Sequence, residues 1–164
     1  MRKETAKNLL RFIPVAMIAI LSVSCEKDKL TVTDVDGNVY NTVEIGTQVW
    51  MASDLKTTKF RDGSAIPVVT GNSAWGALTT PGTCDFDNDP AKGAVYGKLY
   101  NFYAVADARG LCPTGWHVPS NNEWEELLTF LTRDQAGNKM REVGTAHWTS
   151  PHAGTTNESG FTAL

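Results

Sequence analysis

Between residues 52 and 97 the chain is broken four times by turn-forming dipeptides: Asp62-Gly63, Gly71-Asn72, Pro81-Gly82 and Asp89-Pro90. Glycine admits left-handed backbone and proline removes a backbone donor, so no long helix or strand can run through this stretch. A chain of 164 residues has room for one domain, and that domain must accommodate a long irregular segment. Irregular stretches of this length inside a compact domain are either functional or stapled. Five Trp, four Tyr and six Phe supply apolar surface to bury, which argues against disorder. The composition also excludes collagen-like, coiled-coil and polytopic membrane classes.

The flanks of this segment carry regular signals. Leu30 to Met51 alternates as β-structure, with turns at Asp36-Gly37 and Gly46-Thr47, and predicts a small antiparallel meander. Ser120-Asn121-Asn122-Glu123 is a capping box, and Trp124, Leu127, Leu128 and Leu131 follow it at helical spacing, predicting a helix to about Thr132. A second helix is predicted near Asp134 to Val143. Another is predicted over Lys98 to Ala108, with Leu99, Phe102, Tyr103 and Ala106 on one face. Leu111 to Pro119 reads as a short strand, residues 144–158 as a loop, and Ser159 to Leu164 as the start of a further strand. The content is α+β.

The first 24 residues stand apart. Arg2, Lys3, Lys7 and Arg11 precede an uncharged, mostly apolar run from Phe12 to Val23, too short for a membrane span of about 20 residues. Leu21-Ser22-Val23-Ser24-Cys25 then resembles a bacterial lipoprotein signal, which implies lipidation at Cys25 and a polar tether over 25–29. Removing 1–24 takes away four basic residues and one acidic one, so the formal charge moves from −3 to −6. Such an acidic domain does not adsorb to anionic lipid by its own surface, so acyl chains would hold it at the membrane. No basic block lies beyond the first eleven residues, which argues against a nucleic-acid partner.

With Cys25 assigned to lipid, Cys84 and Cys112 remain. An even pair in an exported chain predicts a disulfide, closing a loop of roughly 29 residues for about 3.5 kcal/mol. Two free thiols are the alternative.

Several phrases occur in order: Asp36-Gly37-Asn38-Val39-Tyr40, Ile45-Gly46-Thr47-Gln48-Val49-Trp50-Met51, and Asp54-Leu55-Lys56-Thr57-Thr58. They are followed by Tyr96-Gly97-Lys98-Leu99-Tyr100-Asn101-Phe102-Tyr103, by Leu111-Cys112-Pro113-Thr114-Gly115-Trp116-His117-Val118-Pro119-Ser120, and by Glu123-Trp124. Over residues 30–164 the chain resembles the Fibrobacter succinogenes major paralogous domain, found in lipoproteins of Bacteroidetes. The resemblance implies a C-type lectin-like fold, related to formylglycine-generating enzymes, with two main helices on small antiparallel sheets and long loops. It also implies a domain truncated at its C-terminus, whose absent late strands would pair with the early ones. The acidic residues after Cys25 resemble a surface-export tag, so the expected location is the cell envelope, as an outer-membrane lipoprotein displayed on the surface.

Four constellations bear on chemistry. Asp85, Asp87, Asn88 and Asp89 form an oxygen-rich cluster suited to calcium, although the EF-hand spacing fails and the Glu-Pro-Asn signature of calcium-dependent lectins is absent. His147 and His152, with His117 elsewhere, lack the companions a zinc site needs. Trp50, Trp116 and Trp124 lie in regular patterns and read as core, whereas Trp75 and Trp148 lie in loops and are the candidate ligand-binding aromatics. Glu123, Glu125 and Glu126 complement a helix dipole. No nucleophile with an adjacent base is evident, so an enzyme is not expected. The expected function is an envelope-anchored binding or adhesion module for a glycan or protein; the alternative is a structural or assembly component of a surface appendage.

Overall fold

The computed structural model describes residues 30–148 and 154–164. The signal segment, Cys25 and its tether, and His152 lie outside the described residues.

Strands β1 (Thr31–Thr33), β2 (Val39–Ile45) and β3 (Gln48–Met51) form the expected antiparallel meander, in spatial order β1-β2-β3. The first turn is locked by Asp34, which is almost fully buried. Its carboxylate accepts from the Asp36 and Asn38 amides at 3.0 and 2.9 Å and from the Tyr40 hydroxyl at 2.6 Å. Gly37 takes a left-handed φ of 86° between them, a conformation in which glycine has no Cβ penalty.

Helices α4 (Asn121–Phe130) and α5 (Arg133–Met140) pack on this meander. The capping box forms as the sequence predicts, with both reciprocal hydrogen bonds between Ser120 and Glu123. Ile45 and Trp50 from the sheet bury against Leu127, Leu131, Ala136 and Met140, with Phe161 packed at the margin. Thr47 and Gln48 tie the second turn to α4, donating to Glu126 Oε1 at 2.6 Å and to the Glu123 carbonyl at 3.1 Å.

The irregular segment has a core of its own. Phe60, Ile66, Ala104 and Leu111 are buried together, with Leu55 and Tyr100 against them. Asp36 reaches into this segment, accepting from the Thr58 hydroxyl at 2.9 Å and pairing with Lys59 at 3.0 Å. Tyr100 donates to the Thr57 carbonyl at 2.7 Å, and the Arg109 guanidinium lies 3.9 Å from the Phe60 ring centroid. Short elements punctuate the rest: α1 (Asn72–Gly76), β4 (Thr83–Asp85), α2 (Pro90–Tyr96), β5 (Lys98–Tyr100) and α3 (Phe102–Val105), with β4 and β5 paired antiparallel.

Four expectations are corrected. The helix over Lys98 to Ala108 is instead a strand followed by one short helix. Asn101 divides them: its side-chain oxygen accepts from the Ala104 amide at 3.0 Å and restarts the chain as an N-cap. The strand at Leu111 to Pro119 is absent, because Pro113 and Pro119 lack donors and Gly115 (φ 83°) turns the chain, with the Trp116 amide donating to the Pro113 carbonyl at 2.9 Å. Residues 159–164 contribute one isolated parallel bridge, Arg141 to Ala163, rather than a strand. Finally, Cys84 and Cys112 are free thiols and no disulfide joins them. Cys84 is held on β4 opposite Leu99, while Cys112 sits in a loop clamped by Arg61, whose guanidinium donates twice to the Cys112 carbonyl at 3.1 and 3.0 Å. The staple on the irregular segment is therefore its buried side chains and hydrogen bonds.

Candidate functional site

A groove of about 510 Å³ opens where the two cores meet. One wall is β3 with Ser53, Asp54 and Leu55; the facing wall is the Gly115–Pro119 loop with Glu123, Trp124 and Phe161. Leu55 belongs to the margin of one core and Trp50 to the other.

The groove is aromatic at one end. Trp50 and Trp124 have ring centroids 4.8 Å apart, and Phe161 completes the cluster at 5.8 Å from Trp50 and 6.1 Å from Trp124. Trp50 is buried, whereas Trp124 is 37% exposed and Trp116 is half-buried, so two indoles keep surface for a ligand. The Gln48 side-chain oxygen accepts from the Trp50 indole N–H at 3.2 Å and fixes that ring.

The rim is polar. His117 Nε2 lies 2.6 Å from Glu123 Oε1, while Glu123 Oε2 accepts from the Ser120 amide at 2.7 Å. These bonds, those from Ser120 first and that from His117 after, hold the Glu123 carboxyl down to about 2. A carboxylate at the first turn of α4 also meets the positive end of the helix dipole. Asp54 behaves oppositely: although part of the residue meets solvent, desolvation of its carboxyl raises the pKa, against the pull of Lys56. Burial raises the Cys112 thiol as well, so it stays protonated at neutral pH.

The sequence-chosen residues fall elsewhere. Trp75 is half-buried on α1 and does not line the groove. Trp148 is half-buried beneath the Arg141 guanidinium, 3.8 Å from its ring centroid, and its indole nitrogen is 3.4 Å from the Ala163 carbonyl. The three acidic residues proposed for calcium are each engaged separately: Asp85 with Lys98 at 2.7 Å, Asp87 with Lys92, and Asp89 as the cap accepting from the Ala91 amide at 2.9 Å. Among the described residues no group of three His, Cys, Asp or Glu side chains is placed to hold a metal ion. His147 pairs with Glu142 at 2.7 Å.

Residues 43–164 match the family described as the Fibrobacter succinogenes major domain. The chain belongs to that family. No curated protein and no solved structure matches it. In this member of the Fibrobacter succinogenes major domain family, the matched span holds every residue that lines the groove, including all of β3, the Gly115–Pro119 loop and Phe161. The strand β1 and the Asp34 turn precede the match, yet β1 pairs with β2 in continuous register from Thr31 opposite Asn41 to Thr33 opposite Val39.

The sequence reading missed the groove because it assigned its tryptophans to regular elements. A usable signal was present. Pro113 and Pro119, with Gly115 between them, bracket Trp116-His117 closely and favour a turn over a paired strand, which leaves the indole on a loop beside the capped helix.

Proposed function

We propose that this chain is a binding or adhesion module, anchored at the cell envelope through lipid on Cys25, with a glycan or protein ligand held in the groove. The observation that carries this reading is the combination of partly exposed indoles, Trp116 and Trp124, with a hydrogen-bonding rim of His117, Glu123 and Asp54 in one cavity. Aromatic faces exclude water from apolar ligand surface, and a few convergent polar groups set orientation. A C-type lectin-like fold accords with this reading: small antiparallel sheets, a capped helix and long loops that build the site. Fold analogy alone assigns no ligand, so the reading rests on the groove.

The test is a glycan array and a displayed-peptide panel probed with the full chain and with Trp116→Ala. Retention of at least one ligand, weakened about tenfold or more by the substitution, is expected of a stacking aromatic worth about 1–2 kcal/mol. Retention of nothing, or binding indifferent to Trp116, contradicts the proposal.

A further inference from the structure

A second cavity, of about 230 Å³, opens at the tip of the β1–β2 hairpin, where the turn after Thr33 meets the loop from Leu111 to Thr114. It lies apart from the groove. Strand β1, at its margin, is separated from β3 by β2, and Cys112 is the one residue that borders both cavities.

This cavity is built around Arg61. The Arg61 amide donates to the Gly110 carbonyl at 2.9 Å, and the guanidinium donates from Nε and Nη2 to the Cys112 carbonyl at 3.1 and 3.0 Å. Gly110 permits the close approach, since a Cβ there would lie 3.1 Å from the guanidinium carbon. The group is thus held along one edge and against one face. A guanidinium carries five N–H donors in a rigid fork. Two serve the Cys112 carbonyl, so the end formed by Nη1 and Nη2 keeps donors for a ligand. Among the described residues no carboxylate pairs with Arg61, whereas Arg109 and Arg133 pair with Asp107 and Glu125. Asp34 also borders the cavity, but its oxygens already accept from the Asp36 and Asn38 amides, the Asn38 side chain and the Tyr40 hydroxyl.

The rest of the lining selects the ligand. Thr33 and Thr114, both exposed, bring hydroxyls that can donate and accept, and Val35 and Pro113 bring apolar surface. A planar carboxylate matches two N–H donors of a guanidinium fork. An acidic peptide side chain has only methylenes behind its carboxylate and would leave both threonine hydroxyls unused. A sugar acid carries ring hydroxyls for the threonines and a C–H face for the apolar wall. We propose that this cavity is a carboxylate site for a sugar acid, a hexuronate residue of an acidic glycan. Arg61 takes the carboxylate end-on, and Thr33 and Thr114 take ring hydroxyls.

The experiment follows the Arg61 Nε–H resonance and the Thr33 and Thr114 amide resonances by nitrogen-15 NMR while the full chain is titrated with sodium glucuronate. Companion probes are glucose, which lacks the carboxylate, and N-acetylglutamate amide, which lacks the ring hydroxyls. Saturable shifts with half-saturation at about 1–10 mM are expected of one charge-assisted fork and a few hydroxyl contacts. Both companion probes should bind at least about fivefold more weakly. Arg61→Lys keeps the charge but loses the fork, and should weaken glucuronate about tenfold. Because Arg61 also ties two loops together, Thr114→Val is the second variant; it leaves the guanidinium in place and should cost about threefold. Absence of any saturable shift overturns the site. Equal binding of the glutamate probe overturns the sugar acid and gives the cavity to an acidic peptide. Glucuronate affinity indifferent to both substitutions, or shifts confined to residues of the groove, also overturns it.

Discussion

Gly97 sits where a side chain would collide. Its φ is 70°, and a Cβ there would lie 2.7 Å from the Leu55 carbonyl oxygen and 2.7 Å from the Asp54 Cβ. The oxygen is backbone and cannot swing aside, since the Lys98 amide donates to it at 2.9 Å. Gly97→Ala should therefore cost about 2–4 kcal/mol, combining left-handed strain with overpacking. Gly63→Ala is the control: φ is 85° but nothing lies within 4 Å, so only strain of about 1 kcal/mol is expected in urea unfolding. Glu123 gives the pH signature at the same scale. Its folded pKa of about 2 lies below the ordinary 4.5, so its contribution is present above about pH 4.5 and lost as pH falls through 2. Glu123→Gln should flatten that part of the acid limb, read by thermal unfolding from pH 6 to pH 2.

At the scale of elements, α4 is the most strongly specified. Leu127 is fully buried between the sheet and α5, and Leu127→Ala should destabilise by about 2–5 kcal/mol. Ser120→Ala should cost about 1 kcal/mol through the lost cap. Chemical denaturation of both variants checks the order. The meander and α4 were legible because their signals are local: a glycine in each turn, a cap, and one apolar stripe. The span from Lys98 to Ala108 was misread because its apolar spacing fits a helix while its residues do not bury as one. Phe102 is 76% exposed and Leu99 46%, so the supposed core face looks outward, and the Asn101 cap outweighs the periodicity. Position in chain gave no hint that Trp116 and Trp124 would meet β3 across one groove, since that contact depends on how α4 docks.

At the scale of the molecule, two cores flank the groove, and hydrogen bonds rather than a disulfide order the loops between them. Reductant should leave the melting temperature unchanged. Peptide mapping after alkylation under denaturing, non-reducing conditions should find Cys84 and Cys112 labelled as thiols; a linked Cys84–Cys112 peptide would contradict this. The proposed ligand site is the groove rather than the loop tryptophans. Fluorine NMR on the full chain carrying 5-fluorotryptophan, titrated with any ligand retained from the glycan array or the peptide panel, tests it directly. The Trp116 and Trp124 resonances are expected to move with ligand while those of Trp75 and Trp148 stay fixed. Movement confined to Trp75 or Trp148, with Trp116 and Trp124 unchanged, would contradict it.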